Sequence, residues 1–232
     1  MKYMKHYYEK FNMFKNILDL EDPIIVEVGA HYGEDSLRFT EAFENPTVYC
    51  FEPDPRNIEI FKKHVVNSKV RLFEVALSDN NGEAEFFQSY DEKGSEAVPS
   101  KYDWINLDDY KNNKLSNSGS SSLRRGYGKT LPESIKVKTE RFDTWFENNN
   151  ISNVDLVWMD VQGAERSVLE GMGEKIKNIR FIWVEYGELG YEGAMSRQET
   201  VKYMTNKSFS VLEEYSDKSQ SGDLMFCNLD LK

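Results

Sequence analysis

Cysteine is nearly absent from this chain of 232 residues, and histidine and proline are scarce: it has 2, 3 and 6 of them respectively. Two thiols, Cys50 and Cys227, cannot build a disulfide framework or a cysteine-rich zinc site. Each sits in an apolar, strand-like run, which predicts buried free thiols in a reducing compartment. No apolar run approaches the roughly 20 residues needed to span a bilayer. The opening MKYMKHYYEKFNMFKNILDL lacks the continuous apolar region and small-residue cleavage site of a signal peptide. A cytoplasmic location without membrane insertion is the expectation. Basic residues are in the minority, 29 Lys and Arg against 40 Asp and Glu, which gives a net charge of −11. That balance argues against a nucleic-acid partner, because phosphate backbones are held by clustered cations.

What is present is enough for a core. With 39% hydrophobic and 13% aromatic residues, a chain of this length buries roughly 70% of its unfolded surface, in one domain by default. Tyr3, Tyr7, Phe11, Phe14 and Leu18 recur at steps of three and four and predict an amphipathic helix within residues 1–22, packed on the domain. A single domain over 23–232 follows. Its strands are predicted at Ile24–Val28, Thr47–Phe51, Val70–Ala76, Val154–Asp160 and Arg180–Glu185, apolar on both faces, as in a parallel sheet covered by helices. Helices are predicted between them at Gly33–Phe43, Pro55–Asn67, Phe142–Asn149 and Ala164–Gly171. Another helix near Ser196–Asn206 precedes strands Phe209–Glu214 and Leu224–Leu229, which read as an antiparallel closing pair. The alternation specifies an α/β fold with a doubly wound, mostly parallel sheet and helices on both faces. From Tyr90 to Leu131 the rhythm breaks into a long polar insert, of the kind that serves as a lid or binding loop.

Ligands of such sheets lie beyond the carboxyl ends of the strands. The first strand ends in Glu27-Val28-Gly29-Ala30-His31-Tyr32-Gly33, whose Gly-x-x-x-Gly spacing is not the dinucleotide pattern Gly-x-Gly-x-x-Gly. Two glycines with an acidic residue before the first suit a ligand bearing an amino group better than a pyrophosphate. The second strand ends in Phe51-Glu52-Pro53-Asp54-Pro55. An acidic side chain about 20 positions after the glycine turn is placed to hold both ribose hydroxyls, and Glu52 is that residue. Asp54 is left to cap the helix that Pro55 opens.

The segments EVGAHYG (Glu27–Gly33), FEPDPRN (Phe51–Asn57), ALSDNNGEAEF (Ala76–Phe86), SSL (Ser121–Leu123) and DVQGAERSVLEG (Asp160–Gly171) occur in an order that resembles the FkbM-type S-adenosylmethionine-dependent methyltransferases. The likeness runs from about Ile24 to Glu185. It implies a class I methyltransferase fold, S-adenosylmethionine as donor with S-adenosylhomocysteine as product, and O-methylation of a hydroxyl, often on a sugar or polyketide. It places Gly29, Ala30 and Gly33 against the methionine part of the donor, with Glu27 at its amino group. Glu52 holds the ribose between Phe51 and Pro53, and Ala76, Leu77 and Ser78 border the adenine. Ser36 is either a contact to the carboxylate or an ordinary helix-surface serine. His31, where the family often has Asn, is a cofactor-side contact.

Methyl transfer to a hydroxyl needs a base at the acceptor oxygen. Asp160, at the end of the fourth strand and able to touch donor and acceptor, is the first candidate, and Glu185, at the end of the fifth, is the second. Glu165 either starts its helix, in favour of the helix dipole, or contacts the acceptor. Ser121, Ser122, Arg124 and Tyr186 complete the acceptor candidates, Arg124 and its neighbour Arg125 being either a solvated pair or a clamp on an anionic group. The chain departs from the family at Trp158 and Gln162, where Lys and Glu are usual. No cluster has convincing metal-ligand spacing, although Asp160 and Glu185 could share a divalent cation. Two alternatives stand beside the methyltransferase reading. One is an NAD(P)-dependent oxidoreductase using Glu52 for a dinucleotide ribose, and the other is a methyltransferase-like binding module without activity.

Overall fold

The computed structural model describes residues 11–126, 133–187, 190–216 and 221–231. In chain order its strands are β1 (Ile24–Val28), β2 (Thr47–Phe51), β3 (Val70–Phe73), β4 (Ala76–Ser78), β5 (Gly82–Phe86), β6 (Ile135–Arg141), β7 (Val154–Met159), β8 (Ile179–Gly187), β9 (Phe209–Ser216) and β10 (Ser221–Asn228). The helices are α1 (residues 11–18), α2 (Glu34–Ala42), α3 (Pro55–His64), α4 (Leu107–Asn112), α5 (Phe142–Asn148), α6 (Glu165–Gly171) and α7 (Arg197–Thr205).

Seven strands form one sheet in the order β3-β2-β1-β7-β8-β10-β9. The pairs β1–β2, β2–β3, β1–β7 and β7–β8 are parallel, and β10 runs antiparallel to both β8 and β9. This is the doubly wound arrangement with an antiparallel closing pair that the alternation predicted. The chain leaves β1 in one direction to β2 and β3 and returns on the other side at β7. The strand ends of β1 and β7 therefore diverge at a switch point, where such sheets open a crevice.

Both faces of the sheet are buried, which explains the continuous apolar runs. On one face Val26, Val28, Val157, Met159, Ile182 and Val184 pack with Trp145, Phe146, Val168, Leu169 and Met204 from α5, α6 and α7. On the other, Ile25, Leu156, Trp158, Phe181 and Trp183 meet Phe11, Phe14 and Leu18 of α1, Phe39 of α2 and Phe61 of α3. Trp158 stacks on Trp183 at 5.1 Å, and the Phe14 ring stands edge-on to both. The apolar stripe of the first helix is thus packed on the domain from Phe11 onward; Tyr3 and Tyr7 of that stripe lie outside the described residues.

Three readings are corrected. The predicted strand Val70–Ala76 is broken after Phe73: β3 ends the large sheet, whereas β4 pairs with β6 in a second, three-stranded sheet of order β4-β6-β5. β6 carries an apolar-charged alternation, Ile135-Lys136-Val137-Lys138, that is the signature of a half-buried strand. The polar insert is also more ordered than a loop. It contains α4 and three short 3-10 turns, and its Tyr102, Ile105, Tyr110 and Leu115 bury against Tyr32 and Ile60; its last residues, 127–131, lie outside the described ones. Cys50 is buried and free, but Cys227 is only partly buried.

Candidate functional site

Glycine is obligatory at the end of β1. Gly29 has φ +88°, and a Cβ there would stand 2.0 Å from the Asp160 carbonyl oxygen. The tight passage lets the N–H groups of Gly29 and Ala30 both donate to the Phe51 carbonyl, each at 3.0 Å, which ties the turn to the end of β2. Gly33, at φ +84°, serves packing: a Cβ would run into Val65 and Phe61 at 2.4 and 2.7 Å.

A cleft of about 530 Å³, partly open to solvent, lies beyond the carboxyl ends of β1, β2 and β7. Its lining includes eight of the residues expected at the cofactor: Gly29, His31, Phe51, Glu52, Pro53, Ala76, Leu77 and Asp160. Five others do not line it. Ala30 and Gly33 are packed inside the turn, and Ser78 sits at 4% exposure, its hydroxyl donating to Asp79 at 3.1 Å. Ser36 is fully buried and donates to Glu27, which Cys50 also contacts at 3.5 Å. Burial holds the Glu27 carboxyl well above the ordinary range, with the charge of Asp35 adding to the effect and the bonds from Ser36 and Cys50 opposing it. Glu27 and Ser36 therefore bond to each other beneath the turn, where a contact to a ligand's amino or carboxylate group had been expected.

Glu52 stands where the ribose contact was predicted. Its Oε1 accepts from the Asp54 N–H at 2.9 Å and Asn57 Nδ2 at 3.2 Å, and its Oε2 accepts from the His31 N–H at 2.8 Å. A carboxylate accepts about four bonds, so Oε2 keeps acceptor capacity for a ligand hydroxyl. Burial raises Glu52 to about 7, the charge of Asp54 adding to this and the backbone donors working against it. Asp54 caps α3 as expected, taking the Arg56 N–H at 3.0 Å. Asn57 lines the same cleft and was missed; its Oδ1 is buried without a hydrogen-bond partner. An orphan acceptor beside a carboxylate fits a ligand rich in hydroxyl donors. Phe86 of β5 and Leu123, which pack with Ala76, add to the apolar lining given by Phe51 and Leu77, which fits a flat base.

His31 adopts a left-handed backbone, φ +51°. Its ring lies between Glu34 Oε1 at 3.2 Å and Ser118 Oγ at 3.1 Å. Burial would raise Glu34, but the facing His31 overcomes it and holds the carboxylate down at about 2. His31 thus joins the glycine turn to the insert.

At the other end of the cleft, Asp160 is exposed just past β7. Gln162 donates from Nε2 to Asp160 Oδ1 at 2.5 Å and to Glu185 Oε2 at 3.2 Å. Tyr191, also missed, donates to Gln162 Oε1 at 2.8 Å and approaches the Ser120 carbonyl at 2.9 Å. Glu185 is pushed up to about 10, first by burial, then by the charge of Asp160 and a hydrogen bond to it. At neutral pH it keeps its proton.

The acceptor candidates separate. Ser121 and Ser122 line the cleft, but Ser121 Oγ takes bonds from Arg56 and the Ser89 N–H, while Ser122 Oγ donates to the Val161 carbonyl at 3.2 Å. Arg124 reaches across to Ser167 Oγ at 2.7 Å, and Arg125 stacks over Phe87 at 5.3 Å. Two candidates are corrected. Glu165 is 3% exposed and folds back on its own turn, accepting from Val161 and Gly163 N–H groups at 3.2 and 3.1 Å; burial raises it to about 7. Tyr186 is buried and donates to Glu214 at 3.3 Å. Among the described residues no group of three His, Cys, Asp or Glu side chains is arranged to hold a metal ion, and no helix is long and apolar enough to cross a membrane.

Comparison with known proteins gives the family. Residues 27–211 match the methyltransferase FkbM domain. The chain is 30% identical over 230 residues to the 2-O-methyltransferase NoeI of Sinorhizobium fredii (strain NBRC 101917 / NGR234), covering 93% of this chain and 84% of that protein. Similar solved structures include magnesium protoporphyrin IX methyltransferase from Synechocystis PCC 6803 with bound SAM, at TM-score 0.49 and 8% identity, covering 96% of this chain and 79% of the other. TrmK of M. capricolum in complex with S-adenosyl-homocysteine aligns at TM-score 0.49 and 9% identity, over 94% and 68%. A family match that spans the glycine turn, Glu52 and Asp160 places the chain in the FkbM family of S-adenosylmethionine-dependent methyltransferases.

Proposed function

We propose that this enzyme methylates a hydroxyl group of a carbohydrate acceptor, with Asp160 as the base. The observation that carries the reading is the pairing at the cleft's open end: an exposed carboxylate, Asp160, beside a half-buried carboxyl, Glu185, that retains its proton. The bound donor supplies a methyl group on a positively charged sulfur. Glu52, with Asn57 beside it, binds the donor's ribose, and Phe51, Ala76, Leu77, Phe86 and Leu123 enclose its base. Asp160 at the mouth attracts the cationic sulfur and takes the proton from the acceptor hydroxyl. The relative named as a 2-O-methyltransferase supports oxygen as the accepting atom. The insert from Ser118 to Leu123 and the segment around Tyr191 frame the acceptor's approach.

A panel of sugars, nucleotide-sugars and oligosaccharides, incubated with donor labelled in its methyl group, tests this. Label is expected on a carbohydrate hydroxyl, unchanged by a chelator of divalent cations. In Asp160→Asn transfer falls about a hundredfold or more while the donor still binds. Transfer to nitrogen or carbon acceptors alone would overturn the reading.

A further inference from the structure

One of the two residues that depart from the family pattern, Gln162, stands at the centre of the acidic pair. We infer that Gln162 is the positioning residue of this site, binding Asp160 and Glu185 through one amide nitrogen, and that Tyr191 locks that amide so the pair shares a single proton with Asp160 as its ionised member. The inference rests on the methyltransferase reading for its consequence, not for its geometry.

The amide nitrogen has two hydrogens, and both are engaged, one on Asp160 Oδ1 and one on Glu185 Oε2. Its oxygen takes the Tyr191 hydroxyl at 2.8 Å. Turning the amide over would set its oxygen against both carboxyl groups, which fixes the orientation, and the Tyr191 hydroxyl, whose single proton has the Ser120 carbonyl as its other acceptor at 2.9 Å, supports it by donating to Oε1. The backbone concurs. Gln162 has φ +54°, a region unfavourable for a side-chain-bearing residue, and Gly163 follows at φ +93°. This turn directs the amide back over the end of β7.

Two adjacent carboxylates cannot both stay ionised cheaply, and one keeps a proton. The groups facing Glu185 are Asp160 past β7, Glu165 of α6, Asp223 of β10 and the Tyr191 hydroxyl, while Asp160 also feels Asp35 of α2. Every carboxylate in that set disfavours ionising Glu185. A glutamate in place of Gln162 would add one more negative charge between the two. The neutral amide instead donates to both, and a donor at Asp160 Oδ1 favours the charged form of that carboxyl.

The test is a titration of side-chain carboxyls by isotope-edited NMR on the ligand-free protein, with Asp160→Asn and Glu185→Gln spectra giving the assignments. In wild type Glu185 keeps its proton well past neutral pH. In Gln162→Leu the Asp160 transition moves up by about one pH unit, the size of a lost charge-assisted hydrogen bond. Tyr191→Phe, which keeps the ring, moves it the same way by less, and adds nothing on the Gln162→Leu background. The acid limb of kcat moves with it while the donor's KM is unchanged, a split that a merely structural role would not give. Coincident Asp160 titrations in wild type and Gln162→Leu overturn the inference; should Gln162→Leu not fold, coincidence in Tyr191→Phe does so. Absence of methyl transfer by wild type would sink the functional reading and leave the ligand-free titration to decide this one.

Discussion

Replacing Glu52 by Gln separates the cost of this carboxyl to the fold from its value to the donor. In the ligand-free protein Glu52 rises from an ordinary 4.5 to about 7, chiefly by burial. A carboxyl raised in the native state contributes stability below its unfolded pKa, and that contribution is lost as pH rises through the folded one. Between about pH 5 and about pH 7.5 the loss amounts to about 2 kcal/mol, at 1.4 kcal/mol per pH unit. Glu52→Gln cannot ionise, so it does not suffer this loss. It carries its own fixed deficit of about 1–3 kcal/mol, because one amide oxygen cannot satisfy the three donors from His31, Asp54 and Asn57. Denaturant unfolding of both proteins across that range should show the deficit narrowing by about 2 kcal/mol toward high pH. At about pH 7.5, calorimetric titration with S-adenosylhomocysteine should show the variant binding about 10 times more weakly, from the lost charge on the bond that Oε2 accepts from a ribose hydroxyl. Stability curves that run parallel in pH would refute the burial of Glu52, and equal affinities would refute its contact with the ribose.

Gly29→Ala should lose more than about 3 kcal/mol of stability, since a Cβ at 2.0 Å from the Asp160 carbonyl cannot be housed and φ is +88°; thermal unfolding checks this. Ser36→Ala should lower stability by about 1–2 kcal/mol through its bond to Glu27, yet leave donor affinity within about threefold, because Ser36 does not line the cleft. A tenfold loss in the same calorimetric titration would restore Ser36 to the cofactor site. Trp158→Ala should cost about 3–5 kcal/mol by denaturant unfolding, as it empties a stack between Phe14 and Trp183 under α1.

The parallel core was legible because buried strands write themselves as unbroken runs such as Val154–Met159, every residue of which is buried. Glu52 and Asp160 were legible because strand ends and the glycine turn fix their places. Ser36 and Glu27 misled because residue type shows that a hydroxyl and a carboxylate lie near a ligand, not that they face each other below it. Glu165 takes the first of its two readings, its carboxylate satisfied by the turn it starts. Tyr191 and Asn57 were beyond reach of local pattern, since one acts from a segment remote in sequence and the other sits on a helix that reads as ordinary. The alternation in β6 was there to be found, and with it the small sheet that carries Ala76, Leu77 and Phe86 to the cleft wall.

The central claim is that the cleft past β1, β2 and β7 holds the methyl donor with its ribose on Glu52 and its sulfur toward Asp160. A crystal structure with S-adenosylhomocysteine measures this directly. The account predicts ribose hydroxyls within hydrogen-bond distance of Glu52, about 2.5–3.0 Å, the base between Phe86 and Phe51, and the sulfur at the mouth beside Asp160. Product bound elsewhere, or bound here with its ribose turned away from Glu52, would contradict it.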